Sequence, residues 1–383
     1  MQKIKILYLI PTLASGGAER QLVELVNHID RNRFDPLICL IYSERDVPLQ
    51  IHPQNCKILN LEKPLGKCGN IVLLHRLRRV ILRERPHIIH SYLNRANLYA
   101  RIGALLSKHP CVITSVRIGV NLWTRFDRVA ERILWRKSRR IIVNSELVKE
   151  ELSRVIGIPG RKIHVIPNGV DTNRFRPNRA QIETRKRLGL PQEVFLVGVV
   201  ARYSPQKGYD CLLNALSLLR DDQNLRVLCI GQKTVPETFI EVRKLLQKYN
   251  LDDICELREP YQRIEEIYSS IDVLVLPSCL EGFPNVVLEA FACGKPVIVS
   301  KAANAIGIVK PGVNGWVFPT GDAKALADCI KQAMTLPKNV LEKMGMCGRK
   351  EVVVNYSSQI MARRVEKIYD QVIKEARCWS LYA

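Results

Sequence analysis

The chain has 383 residues, 47% of them hydrophobic and 25% charged, which is the composition of a soluble globular protein. No apolar run approaches the roughly 18 residues that cross a bilayer, and the chain leads directly into a predicted strand. We therefore expect neither a transmembrane helix nor a signal peptide. The twelve cysteines form no Cys-x-x-Cys pair and no close set with histidine, so we expect a reduced, cytoplasmic protein without a disulfide framework or zinc site.

The net charge of +22 is unevenly distributed along the chain. Residues 1–170 hold 29 Lys and Arg against 13 Asp and Glu, whereas the remaining residues hold 30 against 24. Two segments, residues 71–83 and 125–140, carry much of the excess and have the pattern of amphipathic helices. They are either core-facing helices with a solvated basic face or surfaces attracted to anionic lipid. Nucleic acid is a weaker third option, because no nucleic-acid module is recognisable.

Predicted strands and helices alternate along the chain, which favours two α/β domains with parallel sheets covered on both faces and a cleft between the domains. In the first half, strands are predicted at residues 5–10, 36–42, 57–61, 87–90, 111–116, 140–144 and 163–167, with a helix at 18–28. A polar linker follows at residues 171–191. Further strands are predicted at residues 194–200, 225–230, near 255, 271–277, 296–300 and 315–318, and helices at 209–219, 238–249, 264–270, 323–334 and from 358 onward.

The loop after the first predicted strand contains Gly16 and Gly17 and opens the first predicted helix. Glycine permits close backbone approach, and free N–H groups at a helix start favour an anion such as a diphosphate. The loop does not match the Gly-x-Gly-x-x-Gly dinucleotide pattern. It is therefore either an anion site or a tight strand-to-helix turn.

Arg202 and Lys207 flank a Ser-Pro turn directly after the first strand of the second half. Ligands of open α/β sheets bind outside the carboxyl ends of strands, so this loop is well placed for a ligand. Two cations five residues apart suit the charges of a diphosphate, with Arg supplying a fork and Lys a point charge. Incidental charges on a surface loop are the alternative.

Two carboxylates, Glu281 and Glu289, are separated by a Gly-Phe-Pro turn between a predicted strand and helix. At 1.5 Å of rise per helical residue they should lie roughly 10 Å apart, too far to share one proton. A glycosidase-like pair needs carboxyls about 5–9 Å apart on either side of one bond, which this arrangement fits poorly. Either acid could also serve only as a helix cap or a partner of the helix dipole.

His87 and His90 flank the core of a short predicted strand and therefore point to opposite faces. No third ligand is near, so a metal site is not expected. His90, at the end of the strand, is a candidate to face a ligand cleft.

These motifs together resemble the retaining nucleotide-sugar glycosyltransferases of family 4, which have the GT-B fold of two Rossmann-like domains. The resemblance spans nearly the whole chain and rests on residues 15–19, residues 166–171, Arg202 with Lys207, and Glu281 with Glu289. It implies an acceptor-binding domain at residues 1–172 and a nucleotide-sugar-binding domain at 173–357. Residues 358–383 are then expected to form a helix that packs back on the first domain.

The resemblance also implies roles for individual residues. Arg202 and Lys207 would neutralise the donor diphosphate without a metal, Glu281 would contact the transferred sugar, and Glu289 would hold the ribose hydroxyls. Backbone N–H groups in the turn would face the sugar or phosphate. The residues of this turn are Phe283, Pro284, Asn285 and Val286.

The chain departs from the family pattern at three places. Arg117 stands where many members have a histidine near the donor, and Tyr92 stands where many have a second one. The loop at residues 302–309 lacks the usual Gly-Gly and acid, which leaves Asn304 as a candidate polar contact.

The sequence thus predicts a metal-independent, cytoplasmic glycosyltransferase, peripheral at the inner face of the membrane. It would move a sugar from a UDP- or GDP-linked donor to a lipid-linked or cell-surface polysaccharide acceptor. The alternatives are a nucleotide-sugar epimerase of similar fold and a basic, non-catalytic binding protein.

Overall fold

The computed structural model describes residues 3–14, 16–42, 53–66, 68–109, 111–178, 180–233 and 235–380, with the backbone alone for 377–380. Ser15, part of the predicted glycine loop, lies outside the described residues. The chain divides into two compact units, Met1–Gly169 with Ser358–Ala383, and Val170–Ser357. The boundary expected from the sequence, after residue 172, lies slightly further along.

The first unit is built on a parallel sheet. Its strands are β1 (Ile4–Ile10), β2 (Phe34–Leu40), β3 (Lys57–Asn60), β4 (Ile88–Tyr92), β5 (Val112–Val116), β6 (Arg140–Val143) and β7 (Ile163–Val165). Their order is β3-β2-β1-β4-β5-β6-β7, and all neighbours pair in parallel. The connecting helices are α1 (Gly17–His28), α2 (Gly69–Glu84), α3 (Asn94–Leu106), α4 (Arg125–Leu134) and α5 (Glu146–Glu151).

Alternation along β1 shows how the sheet is buried on both faces. Ile6 and Tyr8 contribute to one apolar core, whereas Leu7 and Leu9 contribute to the core on the opposite face. Successive strand residues point to opposite sides, so a continuous apolar run is the pattern of a strand covered by helices above and below.

The second unit contains a six-stranded parallel sheet. Its strands are β8 (Phe195–Val200), β9 (Leu225–Ile230), β10 (Cys255–Arg258), β11 (Val273–Leu276), β12 (Val297–Ser300) and β13 (Gly315–Phe318). The order is β10-β9-β8-β11-β12-β13. Its helices are α6 (Gln181–Arg187), α7 (Tyr209–Ser217), α8 (Pro236–Lys248), α9 (Ile264–Ser270), α10 (Asn285–Ala292), α11 (Ala323–Thr335) and α12 (Lys338–Asn355).

The last helix, α13 (Ser358–Ser380), belongs to the first unit, as the sequence predicts. Met361, Val365 and Tyr369 enter the same apolar core as β1. An ion pair of 2.5 Å joins Arg33 to Asp370 at the edge of this contact. Within the described residues, no helix is long and apolar enough to span a membrane.

Two elements differ from the sequence prediction. The basic helix expected at residues 125–140 ends at Leu134, and a 3-10 turn, Trp135–Lys137, leads to β6. Helix α12 has no counterpart in the sequence prediction. Its buried side includes Gly345 and Gly348, and glycine weakens the helical pattern that a sequence reading depends on.

Candidate functional site

The predicted diphosphate site lies where the strand order of the second sheet reverses. Strands β8 and β11 are neighbours, while β9 and β12 continue the sheet in opposite directions. Loops that leave two such strands diverge and open a crevice at their carboxyl ends, where α/β proteins bind ligands. Arg202 follows β8 and Glu281 follows β11, so the fold brings these two predicted loops to the same crevice.

The two loops are joined by direct contacts. Lys207 Nζ donates to Glu281 Oε1 over 2.6 Å, and Ser278 Oγ donates to the same oxygen over 2.8 Å. The Cys279 N–H donates to the Gln206 carbonyl over 2.9 Å. These bonds place a cation and a carboxylate, both largely buried, side by side at the crevice.

Gly208 makes this approach possible. Its φ is +68°, a left-handed conformation that glycine adopts without strain. A Cβ atom at this position would lie 2.1 Å from the Pro277 carbonyl oxygen, which is closer than any real contact. The backbone after β8 can therefore rest against the end of β11 only because residue 208 has no side chain.

Arg202 completes the cationic part of the crevice. Its side chain is exposed, and in the described part of the chain it forms no hydrogen bond or ion pair. A guanidinium in this state can form a bidentate contact with a phosphate without first breaking an internal bond.

The Gly-Phe-Pro turn leads into α10, as predicted. Phe283 is buried, Pro284 precedes the first helical residue, and Asn285 and Val286 form the first turn. The Asn285 N–H donates to the Phe283 carbonyl over 3.0 Å. This N–H is used inside the turn, and its contact with a ligand stays a prediction.

Glu289 lies on α10 and is 6% exposed. Its Oε2 accepts a hydrogen bond of 2.6 Å from the Tyr268 hydroxyl, which projects from α9. Burying a carboxyl group costs free energy unless it is hydrogen-bonded, and Tyr268 supplies one such bond. The sequence reading missed Tyr268 and Ser278, because nothing in their local pattern distinguishes them from ordinary helix and loop residues.

Asn304 uses its side chain to close its own loop, and the ligand contact expected of it stays a prediction. Its amide nitrogen donates to the Val309 carbonyl over 2.9 Å, and its amide oxygen accepts from the Val309 N–H over 3.0 Å. Both ends of the side chain are used in closing its own loop.

In the first unit, the glycine loop opens α1 as predicted, with Gly16 as the residue before Gly17 in the helix. The Glu19 carboxylate folds back over this turn, and a Cβ at Gly16 would lie 2.3 Å from Glu19 Oε2. This acid already complements the positive end of the helix. An anion at the loop would have to displace it.

His90 is a core residue, so the expectation that it faces a ligand cleft is wrong. It is fully buried, with Nδ1 2.6 Å from the Tyr369 hydroxyl and Nε2 2.9 Å from Ser115 Oγ. Burial, and secondarily the charge of Arg117, hold the pKa of His90 well below its usual value. The strand end that looked open in sequence is covered by α13.

Arg117 lies beside this histidine. Its Nη1 donates to Asn168 Oδ1 over 2.9 Å, and its guanidinium lies 5.1 Å from the centre of the Tyr92 ring. Its buried Nε has no hydrogen-bond partner among the described residues. Arg117 is thus held rigidly, with one donor still to be satisfied.

Comparisons with known protein families identify the chain. The model described as "Glycosyltransferase Family 4" matches residues 15–174, and "Glycosyl transferases group 1" matches residues 180–351. The chain belongs to glycosyltransferase family 4. The predicted enzyme class is thereby confirmed, and the alternatives of an epimerase and a non-catalytic binding protein are set aside.

Two relatives match this chain over almost the full length of both proteins. The chain is 25% identical to the capsular polysaccharide biosynthesis glycosyltransferase CapM of Staphylococcus aureus, over 98% of this chain and 99% of CapM. It is 26% identical to the UDP-Gal:alpha-D-GlcNAc-diphosphoundecaprenol alpha-1,3-galactosyltransferase of Escherichia coli, over 97% of each chain.

Among solved structures, Anabaena HepE in complex with UDP-glucose superposes with a TM-score of 0.83 at 20% identity. The match covers 96% of this chain and 99% of HepE. This similarity, with the two parallel Rossmann-like sheets, confirms the predicted GT-B fold class.

Proposed function

We propose that this glycosyltransferase moves a sugar from a UDP-linked donor, with retention of anomeric configuration and without a metal ion, to a lipid-linked or surface-glycan acceptor. One observation carries the proposal: Arg202, Lys207 and Glu281 converge at the crevice between β8 and β11. A GDP-linked donor is the alternative that fits the same diphosphate site.

The proposed chemistry uses charge in place of a metal. The bond between the sugar C1 and the diphosphate oxygen breaks, and the acceptor hydroxyl oxygen forms a bond to C1 on the same face. The hydroxyl proton passes to an oxygen of the departing diphosphate. Arg202 and Lys207 stabilise the charge that develops on this leaving group, Glu281 contacts the sugar, and Glu289 holds the ribose hydroxyls.

The relatives support the choice of donor and acceptor class. HepE has been solved with UDP-glucose, and the Escherichia coli relative is named for a UDP-sugar and a diphosphoundecaprenol acceptor. CapM is named for capsular polysaccharide biosynthesis.

A thermal-shift panel of UDP, GDP, ADP and their sugars tests the donor, because ligands that bind the native state raise its stability. We expect UDP to give the largest shift, unchanged by EDTA. Product NMR then gives the anomeric configuration. Inverted product, or turnover that EDTA abolishes and Mg²⁺ restores, would contradict the mechanism.

Peripheral membrane association belongs to the same proposal, and the two basic helices differ in how well they support it. The apolar side of α2 packs inside the first unit, because Leu73, Leu77 and Ile81 are buried in its core. For α2, the interpretation as a core-facing helix with a solvated basic face therefore suffices.

Helix α4 has the opposite arrangement. Its apolar residues Phe126, Val129 and Ile133 recur at helical spacing and are 54–66% exposed. The residue that it buries is Glu131, whose two oxygens accept hydrogen bonds of 2.6 Å from Arg101. A buried ion pair fastens the helix to the unit, so its apolar side remains available to a partner.

Arg125 and Arg132 lie beside Val129, along one border of the exposed apolar side of α4. An apolar stripe bordered by cations is complementary to an anionic lipid surface. We expect the protein to co-sediment with phosphatidylglycerol vesicles at low salt, and Phe126→Ser, Val129→Ser and Ile133→Ser together to abolish this binding. The matched control replaces Ile240, Val313 and Val354, exposed residues of the second unit, by Ser. Equal loss in both variants would contradict the assignment.

A further inference from the structure

A basic pocket lies at the amino-terminal edge of the first sheet, away from the strand ends that carry His90 and Arg117. Its volume is about 240 Å³, and its lining combines residues of α3 with residues that shortly precede three neighbouring strands. His109 precedes β5, Arg136 and Lys137 precede β6, and Lys162 precedes β7. Amino ends of parallel strands gather at one edge, so the topology brings these short segments together.

The lining residues include no acid. Arg101, at the back of the pocket, is already neutralised by Glu131. The remaining cations are Arg136, Lys137, Arg139 and Lys162, and in the described residues no carboxylate lies within ion-pair distance of Arg136, Lys137 or Lys162. The pocket therefore holds more positive charge than the protein itself compensates.

His109 contributes no further charge. Its Nε2 lies 2.8 Å from the Pro86 carbonyl, and its Nδ1 accepts the Cys111 N–H over 3.3 Å. This pattern requires the neutral ring, with the proton on Nε2. Burial also lowers the pKa of His109, in agreement with the neutral form.

The neighbouring cations act directly on the ammonium group of Lys162. Burial, followed by the charges of Arg140 and Arg139, lowers the pKa of this ammonium group, and the more distant Glu375, which pairs with Arg140, opposes this shift without reversing it. Among the described residues, Lys162 Nζ donates to two backbone oxygens, of Ser138 and Arg139, at 3.5 and 3.4 Å. Bringing like charges together costs free energy, which an anion in the pocket would recover.

We propose that this pocket binds a phosphate group with two negative charges, held by Arg136, Lys137 and Lys162. The volume equals that of about eight water molecules at ~30 Å³ each, which is room for one or two phosphate groups with bridging water. Arginine offers paired donors and lysine point charges, the usual combination for phosphate. The site is separate from the donor crevice of the second unit.

The phosphate can come from solution or from a lipid headgroup, and titrations distinguish the two. Inorganic phosphate and pyrophosphate are titrated by calorimetry at low salt in a Lys207→Ala background, which removes a cation from the donor crevice. Vesicles containing phosphatidic acid, with a phosphate monoester, are compared with vesicles containing phosphatidylglycerol, with a diester. Saturable binding of the free ions indicates a soluble ligand. Tighter binding to phosphatidic acid than to phosphatidylglycerol, which α4 is expected to bind on its own, indicates a headgroup.

The decisive comparison uses charge-matched variants. Lys137→Gln with Lys162→Gln should weaken phosphate binding at least tenfold, whereas Lys324→Gln with Lys331→Gln, exposed on α11, should leave it unchanged. Arg136→Gln removes an exposed side chain and provides a second test if the first pair lowers stability. When the same pocket and control substitutions are made in the protein that keeps Lys207, donor-induced thermal shifts should be retained. Equal weakening in pocket and control variants, or no binding in any arm, would overturn the proposal.

Discussion

Lys207 Nζ lies 2.6 Å from Glu281 Oε1, so the cation proposed for the donor diphosphate is paired with the acid proposed for the sugar. A diphosphate that binds Lys207 must compete with this carboxylate. The pair therefore links affinity for the nucleotide to the position of the sugar contact. Neither charge can be changed without affecting the other.

Replacing Glu281 should strengthen UDP binding, whereas replacing Lys207 should weaken it. Glu281→Gln removes the competing charge, and we expect UDP to bind about 1.5 kcal/mol more tightly, or roughly tenfold, while sugar transfer falls. Lys207→Ala should weaken UDP binding and lower kcat by about 10²–10³, the effect of losing one preorganised charge at the leaving group. Calorimetry and initial rates measure the two effects.

Uridine is the control ligand because it lacks the diphosphate. Both variants should bind uridine as the wild type does, and Lys207→Arg should retain more activity than Lys207→Ala. Weaker UDP binding by Glu281→Gln would show that the acid does not compete with the diphosphate.

The alternating strands and helices of this fold can be predicted from the sequence because each depends on a local pattern. The strands at 225–230 and 315–318 and the helix at 264–270 are predicted with the bounds that the structure has. Apolar runs of strand length and helical periodicity are properties of a short window. The loops that carry Arg202, Lys207 and Glu281 follow from the same reading, because strand ends locate them.

The features that could not be predicted from the sequence depend on contacts between residues that are distant in sequence. His90 looked available because the residue that covers it, Tyr369, lies on a helix 279 positions later. Helix α4 has an apolar side in sequence, but only the structure reveals that a buried Arg101–Glu131 pair turns that side outward. Glu289 and Tyr268 belong to different helices, and their hydrogen bond has no sequence signature.

If Glu289 holds the ribose hydroxyls, its removal should matter only for ligands that carry them. Glu289→Ala should weaken UDP binding by about 1.5–3 kcal/mol, as expected for hydrogen bonds to a charged group, but should weaken 2′-deoxy-UDP binding less. Tyr268→Phe, which removes one donor to Glu289, should give a smaller loss of the same kind. Equal losses for both nucleotides would assign Glu289 a structural role only.

The Arg101–Glu131 pair predicts an unusual pattern of stability. Arg101 is 1% exposed, and removing one partner of a buried pair leaves an uncompensated charge. Glu131→Gln should therefore cost about 3–5 kcal/mol in the free energy of unfolding, whereas Arg101→Met with Glu131→Leu should recover most of it. Asp221→Asn, in an exposed pair with Arg220, is the control and should change stability by less than about 1 kcal/mol. Urea denaturation measures the wild type and these three variants, and a double variant no more stable than Glu131→Gln would contradict the coupling.

His90 should make the protein sensitive to mild acid. Its pKa in the folded protein is well below that of the unfolded chain, so between the two values the unfolded chain binds the additional proton. The contribution of His90 to stability is complete above about pH 6.5 and is lost as the pH falls, with a slope of about 1.4 kcal/mol per pH unit. The variant His90→Gln should lose the contribution of His90 to this slope when urea denaturation measures the free energy of unfolding between pH 7.5 and 5.5.

Burial also lowers the pKa of His109 and His164, so the His90→Gln variant should keep a residual dependence of stability on pH. His75→Gln, at an exposed position on α2, should behave as the wild type, and an unchanged slope in His90→Gln would show that His90 is not held neutral by its burial.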